Sequence, residues 1–477
     1  MDFTHFFWNA YTISVLWLLY IITIVSCIVV ILSENRNPIR SLAWVIALIF
    51  LPGVGLIFYL FFGRSMRGRQ LMSRHNKRRL FRSRHTPRHN LNELALTSTE
   101  QQLIKLNHKV THAPFTLNNQ ADIFTTGTEK FEALKRDLNN AKESIYLQYY
   151  IFQDDDLGQE ISDILIRKAS EGVEVRVIYD HVGSFSSSSK FFKKMNENRV
   201  KAHPFFRVTF PQLANRINWR NHRKMVIIDH SIGYIGGMNI ADRYLAGNKW
   251  RDTHLRVQGD ILESLLYSFC IDWDFLNNND EIIRADAPRR HNIENLTGMQ
   301  LLTSGPTDEW SHLELTFLRA IAGATKCVYI QTPYFLPTDS LLHALEAAAL
   351  ASVDVRIMLP RVSDSRMLMY ASFSYVKRCL KSGIKIYLYN PGMLHSKVMI
   401  IDDSFVTTGS VNFDFRSFEN NFEGNLLIYD TKLNREMKDI FFEDLAECRK
   451  ITLTDWKKRP LHHRFLESTL RLLSPIL

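Results

Sequence analysis

The pattern H-x-K-x-x-x-x-D occurs twice, as His222, Lys224 and Asp229 and again as His395, Lys397 and Asp402, every equivalent pair lying 173 residues apart. One copy alone would say little. Each copy, however, is followed at the same distance by a small-residue turn ending in asparagine, Gly236-Gly237-Met238-Asn239 and Gly409-Ser410-Val411-Asn412. The surroundings repeat as well. Ser144 to Phe152 is rich in β-formers, Leu157, Ile161, Ile164, Leu165 and Ala169 have helical spacing, and Val173 to Asp180 alternates like a strand. A strand from Cys327 to Phe335, an apolar helical stretch around Leu341, Leu345 and Ala348, and a strand from Val353 repeat that unit 180 to 183 residues later. Solenoid repeats are far shorter, so the spacing means a duplicated α/β domain. A chain of 477 residues also exceeds what one core usually holds. Two similar lobes facing each other would make one site on their shared axis.

Two uncharged runs precede the duplication, Tyr11 to Leu32 and Ser41 to Gly63. At about 1.5 Å per residue each is long enough for a bilayer core of about 30 Å. A cleaved signal peptide fits poorly, because residues 1 to 10 lack a positive region and carry only Asp2 and His5. Trp8, Trp17, Tyr20, Trp44 and Tyr59 include candidates for an interfacial aromatic belt, and Pro52 is expected to kink the second span. Ten Lys and Arg residues then fall between Arg64 and Arg88 with no carboxylate. Removing these ten from the 59 cationic residues leaves 49 against 49 Asp and Glu, so the net charge of +10 resides in this stretch. Beside a span it reads as a topology signal that keeps the following residues cytoplasmic, and as a place to gather anionic lipid. Nucleic acid is disfavoured as a partner, since the lobes have no excess positive charge. The five cysteines form no CxxC pair, which gives neither a disulfide framework nor a zinc site.

Residues two apart on a strand share a face, so His222 pairs with Lys224 and His395 with Lys397. The apolar "MVII" and "VMII" that follow read as strands buried on both faces. A half-buried His–Lys pair is costly unless an anion meets it, which favours a binding or catalytic role. Asp229 and Asp402 end the motif beyond the apolar stretch, where a structural hydrogen-bond role fits as readily as a chemical one. Glu423 and Asp252 follow the asparagine turns and are candidates to hold an imidazole tautomer.

These motifs resemble those of the phospholipase D superfamily, whose members bring two H-x-K-x-x-x-x-D motifs to one active site. The likeness extends to the bacterial cardiolipin synthases. "NPIRSLAWVIALIFLPGVGLIFYLFFGR" is similar to their membrane region, "YLQYYIF", "NHRKMVIIDHSIGYIGGMNIADRY" and "WRDTHLR" to their first half, and "TPYFLP", "LHSKVMIIDDSFVTTGSVNFDFRSFENNFE" and "LLSPIL" to their second. Gly237 departs from the duplication, leaving Ser410 as a hydroxyl near the phosphate from the second lobe only.

The resemblance implies two homologous lobes, each a mixed sheet flanked by helices, after a two-helix transmembrane hairpin. The expected division is an anchor over 1–63 with spans 11–32 and 41–63, a basic linker over 64–95, lobes over 96–290 and 291–450, and an amphipathic tail over 451–477. It also implies conversion of two phosphatidylglycerol molecules to cardiolipin and glycerol at a bacterial inner membrane, the lobes being cytoplasmic. The exchange of one phosphodiester for another requires no nucleotide, metal or other cofactor. By resemblance His222 attacks phosphorus and His395 serves as acid and then base, so the two imidazoles are expected to titrate differently. Lys224, Lys397, Asn239, Asn412 and Ser410 are expected around the phosphate, Asp252 and Glu423 beside the imidazoles, and Asp229 and Asp402 in the catalytic set. A phospholipase D, a synthase using phosphatidylethanolamine, a membrane-tethered nuclease and a non-catalytic scaffold stay open at this point. The tail, with Trp456, Phe465, Leu466, Leu470, Leu472 and Leu473 among Lys457, Lys458, Arg459, Arg464 and Arg471, suits either an interfacial helix or packing on the second lobe.

Overall fold

The structure is a computed structural model and describes residues 3–33, 38–51, 53–59, 63, 90–208, 218–277 and 297–472. The basic stretch from Arg64 to Arg88, the expected lobe boundary at 290 and the last five residues lie outside the described residues. The chain divides into two compact units, residues 1–66 with 208–218 and residues 67–207 with 219–477.

In the first unit the helix Phe3–Ser33 contains, among the described residues, one segment long and apolar enough to cross a bilayer, Tyr11–Ser33. From Tyr11 onward its apolar side chains mostly face outward, Leu16 at 60% exposure and Val25 at 53%. The second uncharged run is not one helix over 41–63. Pro38–Phe50 is helical, Leu51 bends, Gly53 takes φ +77°, and a separate short helix covers Val54–Phe58. The left-handed φ at Gly53 turns the chain back, and Gly55 then lies so close to the earlier helix that a Cβ there would stand 2.3 Å from the Ala47 carbonyl oxygen. Tyr20 ties down the bend by accepting from the Gly53 N–H at 3.0 Å.

The second unit holds both lobes. The first contributes β1 Asn119–Phe124, β2 Ser144–Tyr149, β3 Glu174–Asp180, β4 Lys201–Phe205, β5 Arg220–Asn221, β6 Met225–Ile228, β7 Ile232–Gly236, β8 Trp250–Arg251 and β9 His254–Gly259. The second contributes β10 Gly298–Ser304, β11 Cys327–Gln331, β12 Phe335–Leu336, β13 Asp354–Pro360, β14 Lys385–Tyr389, β15 Met393–Leu394, β16 Val398–Ile401, β17 Phe405–Gly409, β18 Phe413–Asp414, β19 Asn421–Tyr429 and β20 Cys448–Ile451. The first sheet runs β1-β9-β7-β6-β2-β3-β4 and the second β10-β19-β17-β16-β11-β13-β14-β20. The two orders are the same topology, β20 being an added edge strand.

In each sheet a crossover helix joins two parallel strands, Asp156–Ser170 between β2 and β3 and Asp339–Leu350 between β11 and β13. Capping fixes where these helices start. Asp155 accepts from the Gly158 N–H at 3.0 Å, and Thr338 accepts from the Leu341 N–H. Ile161 and Leu165 then pack under Val226 and Ile228 of β6, and Leu341 and Leu345 lie in the same core as Met399 and Ile401 of β16. Both motif strands are buried throughout, as their unbroken apolar runs suggest.

One early helix does not follow chain order. Ser98–Thr111, expected in the first lobe, packs Leu103 and Ile104 into the core of the second. Its buried Asn107 accepts from the Thr316 hydroxyl at 2.7 Å and donates to Gln300 at 3.2 Å. Sequence proximity does not bind a helix whose apolar stripe fits the other lobe.

Each motif strand ends in an aspartate in the left-handed region, Asp229 at φ +50° and Asp402 at φ +48°. The Asp229 carboxylate accepts from the N–H groups of Lys142, Glu143 and Ser144 at 2.7–2.9 Å. Asp402 accepts likewise from Thr325, Lys326 and Cys327. Each carboxylate therefore clamps the loop entering β2 or β11 against the end of β6 or β16. Replacing Asp229 by Ala should cost about 2 kcal/mol of stability, because charge-assisted bonds to three amides are lost. Asp229→Asn should cost less, since Asn keeps one acceptor and tolerates the left-handed conformation. Thermal unfolding checks this, and an unchanged midpoint for Asp229→Ala would contradict the clamp.

Candidate active site

Each motif histidine sits just ahead of its strand, in an extended stretch laid against the opposite lobe. β5 pairs in parallel with β19, Asn221 opposite Phe422, and the His222 N–H donates to the Phe422 carbonyl at 2.9 Å. β8 pairs in parallel with β15, Trp250 opposite Met393, and the His395 N–H donates to the Arg251 carbonyl at 2.7 Å. His222 and His395 thus lie between β5 and β6 and between β15 and β16, not within the motif strands where the simple face-sharing pattern places them.

The same crossing delivers the carboxylates. Glu423 Oε1 and Oε2 lie 3.0 and 3.1 Å from His222 Nδ1, and Asp252 Oδ2 lies 2.6 Å from His395 Nδ1. Each half of the duplication supplies the partner of the other half's imidazole. His222 Nδ1 also lies 3.0 Å from the Ser410 carbonyl oxygen. Surrounded by acceptors, it carries the ring proton, which leaves the Nε2 lone pair for chemistry. At His395, Nδ1 meets both the Asp252 carboxylate at 2.6 Å and the Lys397 Nζ at 2.9 Å.

The lysines fold back toward the histidine backbone. Lys224 Nζ donates to the His222 carbonyl at 2.6 Å, and Lys397 Nζ donates to the His395 carbonyl and stands 2.9 Å from His395 Nδ1. The group is almost dry, with Lys224, Asp252 and Glu423 at 0% exposure and His222 and His395 at 8% and 6%. Burial, opposed by Glu423 and aided by Lys224, pushes His222 down to about 4. Burial and the adjacent Lys397 push His395 down to about 4 against the pull of Asp252. Burial lowers both lysines, Lys397 to about 8. The expected split between one neutral and one charged imidazole is therefore absent before an anion binds. Both are neutral near pH 7, because desolvation outweighs a single carboxylate neighbour in each case.

Two expectations about neighbouring groups change. The Ser410 hydroxyl is not presented to a phosphate, since it donates to Glu423 and accepts from the Gly424 N–H at 3.0 Å. At Gly237, the equivalent position, a Cβ would stand 2.1 Å from Asp252 Oδ1, so the carboxylate occupies the space that a side chain would need. Asp229 and Asp402, expected in the catalytic set, are taken up by backbone amides at the far ends of β6 and β16. Asn239 accepts from the Ile151 N–H at 3.1 Å and donates to the Tyr244 hydroxyl at 2.9 Å, which lies 3.5 Å from His395 Nδ1. Asn412 is buried, with Oδ1 lacking a hydrogen-bond partner.

Sequence reasoning passed over several supports. Tyr150 packs its ring edge-on against His222, centroids 4.8 Å apart. Gln148 donates to Asp272, which also takes Arg223 at 2.7 Å and Asn221 at 3.0 Å. Gln331 donates to Asp444, which takes Arg251 at 2.8 Å. The visible signal was Gln148 and Gln331, polar residues at equivalent places in the otherwise apolar-leaning strands "SIYLQY" and "CVYIQ". Asp272 and Asp444 had no such signal. Among the described residues no group of His, Cys, Asp and Glu has the arrangement of a metal site.

The family model described as "Cardiolipin synthase, PLD-like domain" matches residues 134–259 and 317–445, one span per lobe. A second, "Phospholipase_D-nuclease N-terminal", matches residues 15–64. The major cardiolipin synthase ClsA of Bacillus subtilis is 38% identical, the match covering 96% of this chain and 98% of that protein. Cardiolipin synthase 2 of Bacillus anthracis is 40% identical over 94% of this chain and 89% of its own. Among solved structures, the phosphatidylserine synthase of Haemophilus influenzae has a TM-score of 0.63 at 16% identity, covering 79% of this chain and 100% of that one, a likeness of fold.

With both imidazoles held near 4, an anion placed among the lysines favours their charged forms and raises them. At pH 6 binding of diethyl phosphate should therefore take up protons, read by calorimetry as a heat that depends on the buffer's ionisation enthalpy. Buffer-independent heats would contradict the assignment.

Proposed function

The chain belongs to the cardiolipin synthases of the phospholipase D-like family, and from that premise we propose that this phosphatidyltransferase moves the phosphatidyl group of one phosphatidylglycerol to the primary hydroxyl of another. The observation that carries the reading is the pair of buried imidazoles, each tied to the other lobe's carboxylate and accompanied by a lysine. Such a pair suits a phosphodiester, whose single negative charge meets the lysines and whose phosphorus is open to attack by one imidazole opposite the other.

His222 is assigned as the nucleophile. Its Nε2 bonds to phosphorus as the bond to the glycerol oxygen breaks, and His395, charged once the anion is bound, gives that oxygen its proton. The phosphatidyl-histidine conserves the ester's energy. His395, now neutral, removes the proton from the incoming hydroxyl, whose oxygen displaces His222 from phosphorus, yielding cardiolipin and restoring both groups. Glycerol is the only other product. Lys224 and Lys397, with N–H groups of Asn239 and Asn412, are assigned to hold the non-bridging oxygens as charge builds up on them. Glu423, backed by Ser410, and Asp252 are positioning residues that keep Nδ1 protonated. The dry surroundings favour a lipid alcohol over water as acceptor. The lobes are assigned to the cytoplasmic face of a bacterial membrane by the basic run Arg64 to Arg88.

Product analysis with glycerol-labelled phosphatidylglycerol tests the reaction. Free glycerol with cardiolipin is expected, whereas phosphatidic acid as the main product would make the protein a hydrolase. His222→Ala should lower turnover by roughly four orders of magnitude or more and abolish a phosphatidyl label trapped on the protein by denaturation. A label that survives in His222→Ala and vanishes in His395→Ala would exchange the two roles. For topology, a protease added to sealed inside-out membrane vesicles should cut the lobes, and protection there would reverse the orientation.

A further inference from the structure

The C-terminal helix Leu461–Leu472 turns three of its apolar residues, Leu461, Phe465 and Leu472, away from the protein on which it packs. It lies against the helix Arg366–Lys381, and its inward face consists of His463, whose ring meets Tyr370 at 5.7 Å, Glu467, 4% exposed, and the half-buried Leu470. Glu467 is paired with Arg459, whose guanidinium donates to it at 3.0 Å and lies 3.4 Å from the Trp456 ring centroid. Trp456 is itself buried against Phe373. This anchor sets the rotation of the helix.

At about 100° per residue, Leu461, Phe465 and Leu472 fall within one narrow stripe diametrically opposite Glu467 and His463. They are 76%, 75% and 75% exposed. Arg464 and Arg471 flank the stripe on one side, and the helix's only carboxylate is the one sequestered inward. An apolar stripe exposed to water with a buried ion pair behind it is unfavourable for a free surface. It becomes favourable when the stripe meets hydrocarbon and the flanking guanidiniums meet phosphate.

We propose that this helix is a membrane-docking face of the catalytic unit, seating Leu461, Phe465 and Leu472 in the acyl boundary of an anionic phospholipid bilayer with Arg464 and Arg471 at its head groups. Charge and apolarity together commit the occupant to anionic lipid rather than to a protein partner. The stripe is independent of the histidine pair, and it would hold the lobes where a water-insoluble substrate is dense.

The full-length protein in phosphatidylglycerol-containing proteoliposomes provides the test. In Phe465→Trp the emission added over wild type should be quenched by lipids brominated on their acyl chains and protected from aqueous acrylamide. Quenching by acrylamide, or protection from both quenchers as in a protein–protein contact, overturns the proposal. With Leu461, Phe465 and Leu472 all changed to Ser, cardiolipin formation from vesicles should fall by about tenfold or more, while transfer with monomeric short-chain phosphatidylglycerol stays within about twofold of wild type. Equal losses on both substrates would mean a structural role and sink the docking face. Wild type inactive on both substrates would instead refute the transferase reading, and the bromolipid result would still report on docking.

Discussion

The exchange of carboxylates between lobes is the constraint on which the rest of the site depends. Glu423 serves His222 and Asp252 serves His395, and each contact is accompanied by a short parallel strand pairing that runs from one lobe to the other. Neither lobe has a complete imidazole site alone. Separating them would take Glu423 and Asp252 away from the imidazoles they hold, so the lobe interface and the site geometry depend on the same contacts. The supports beneath repeat the device, since Arg223 of the first lobe donates to the Glu423 carbonyl oxygen while holding Asp272, and Arg251 of the first lobe holds Asp444 of the second.

The near-dryness of the site decides its protonation. In water one carboxylate beside a histidine raises its pKa, yet here desolvation and the lysines reverse that sign for both imidazoles. Both imidazoles are therefore held in the neutral form near pH 7, each beside a buried lysine whose own pKa burial lowers. The two histidines differ in their surroundings, with Lys397 and Tyr244 beside His395 and Tyr150 and the Ser410 carbonyl beside His222.

Local patterns in the chain were good guides wherever the controlling interaction is local. The strand-helix-strand units, the burial of "MVII" and "VMII", and the first apolar helix follow from periodicity and appear where the sequence puts them. The second apolar run, expected as one span kinked at Pro52, divides into two helices because Gly53, free to take a left-handed φ, turns the chain back. Ser98–Thr111 was assigned by chain order to a lobe it does not join. Ser410 was offered to the phosphate, but a hydroxyl beside a buried carboxylate satisfies that carboxylate first.

By itself the sequence determined that the protein is a duplication, that each half carries an H-x-K-x-x-x-x-D motif, and that apolar helix precedes them, because repeats, motif spacing and hydrophobic runs are properties of neighbouring residues. Only the tertiary structure decided that Glu423 belongs to His222 and Asp252 to His395, that Asp229 and Asp402 are loop clamps, and that the helix Leu461–Leu472 faces Leu461, Phe465 and Leu472 outward. Each of those outcomes is set by which groups meet across 75 or more residues and by how much water remains between them, and neither quantity is written in local order.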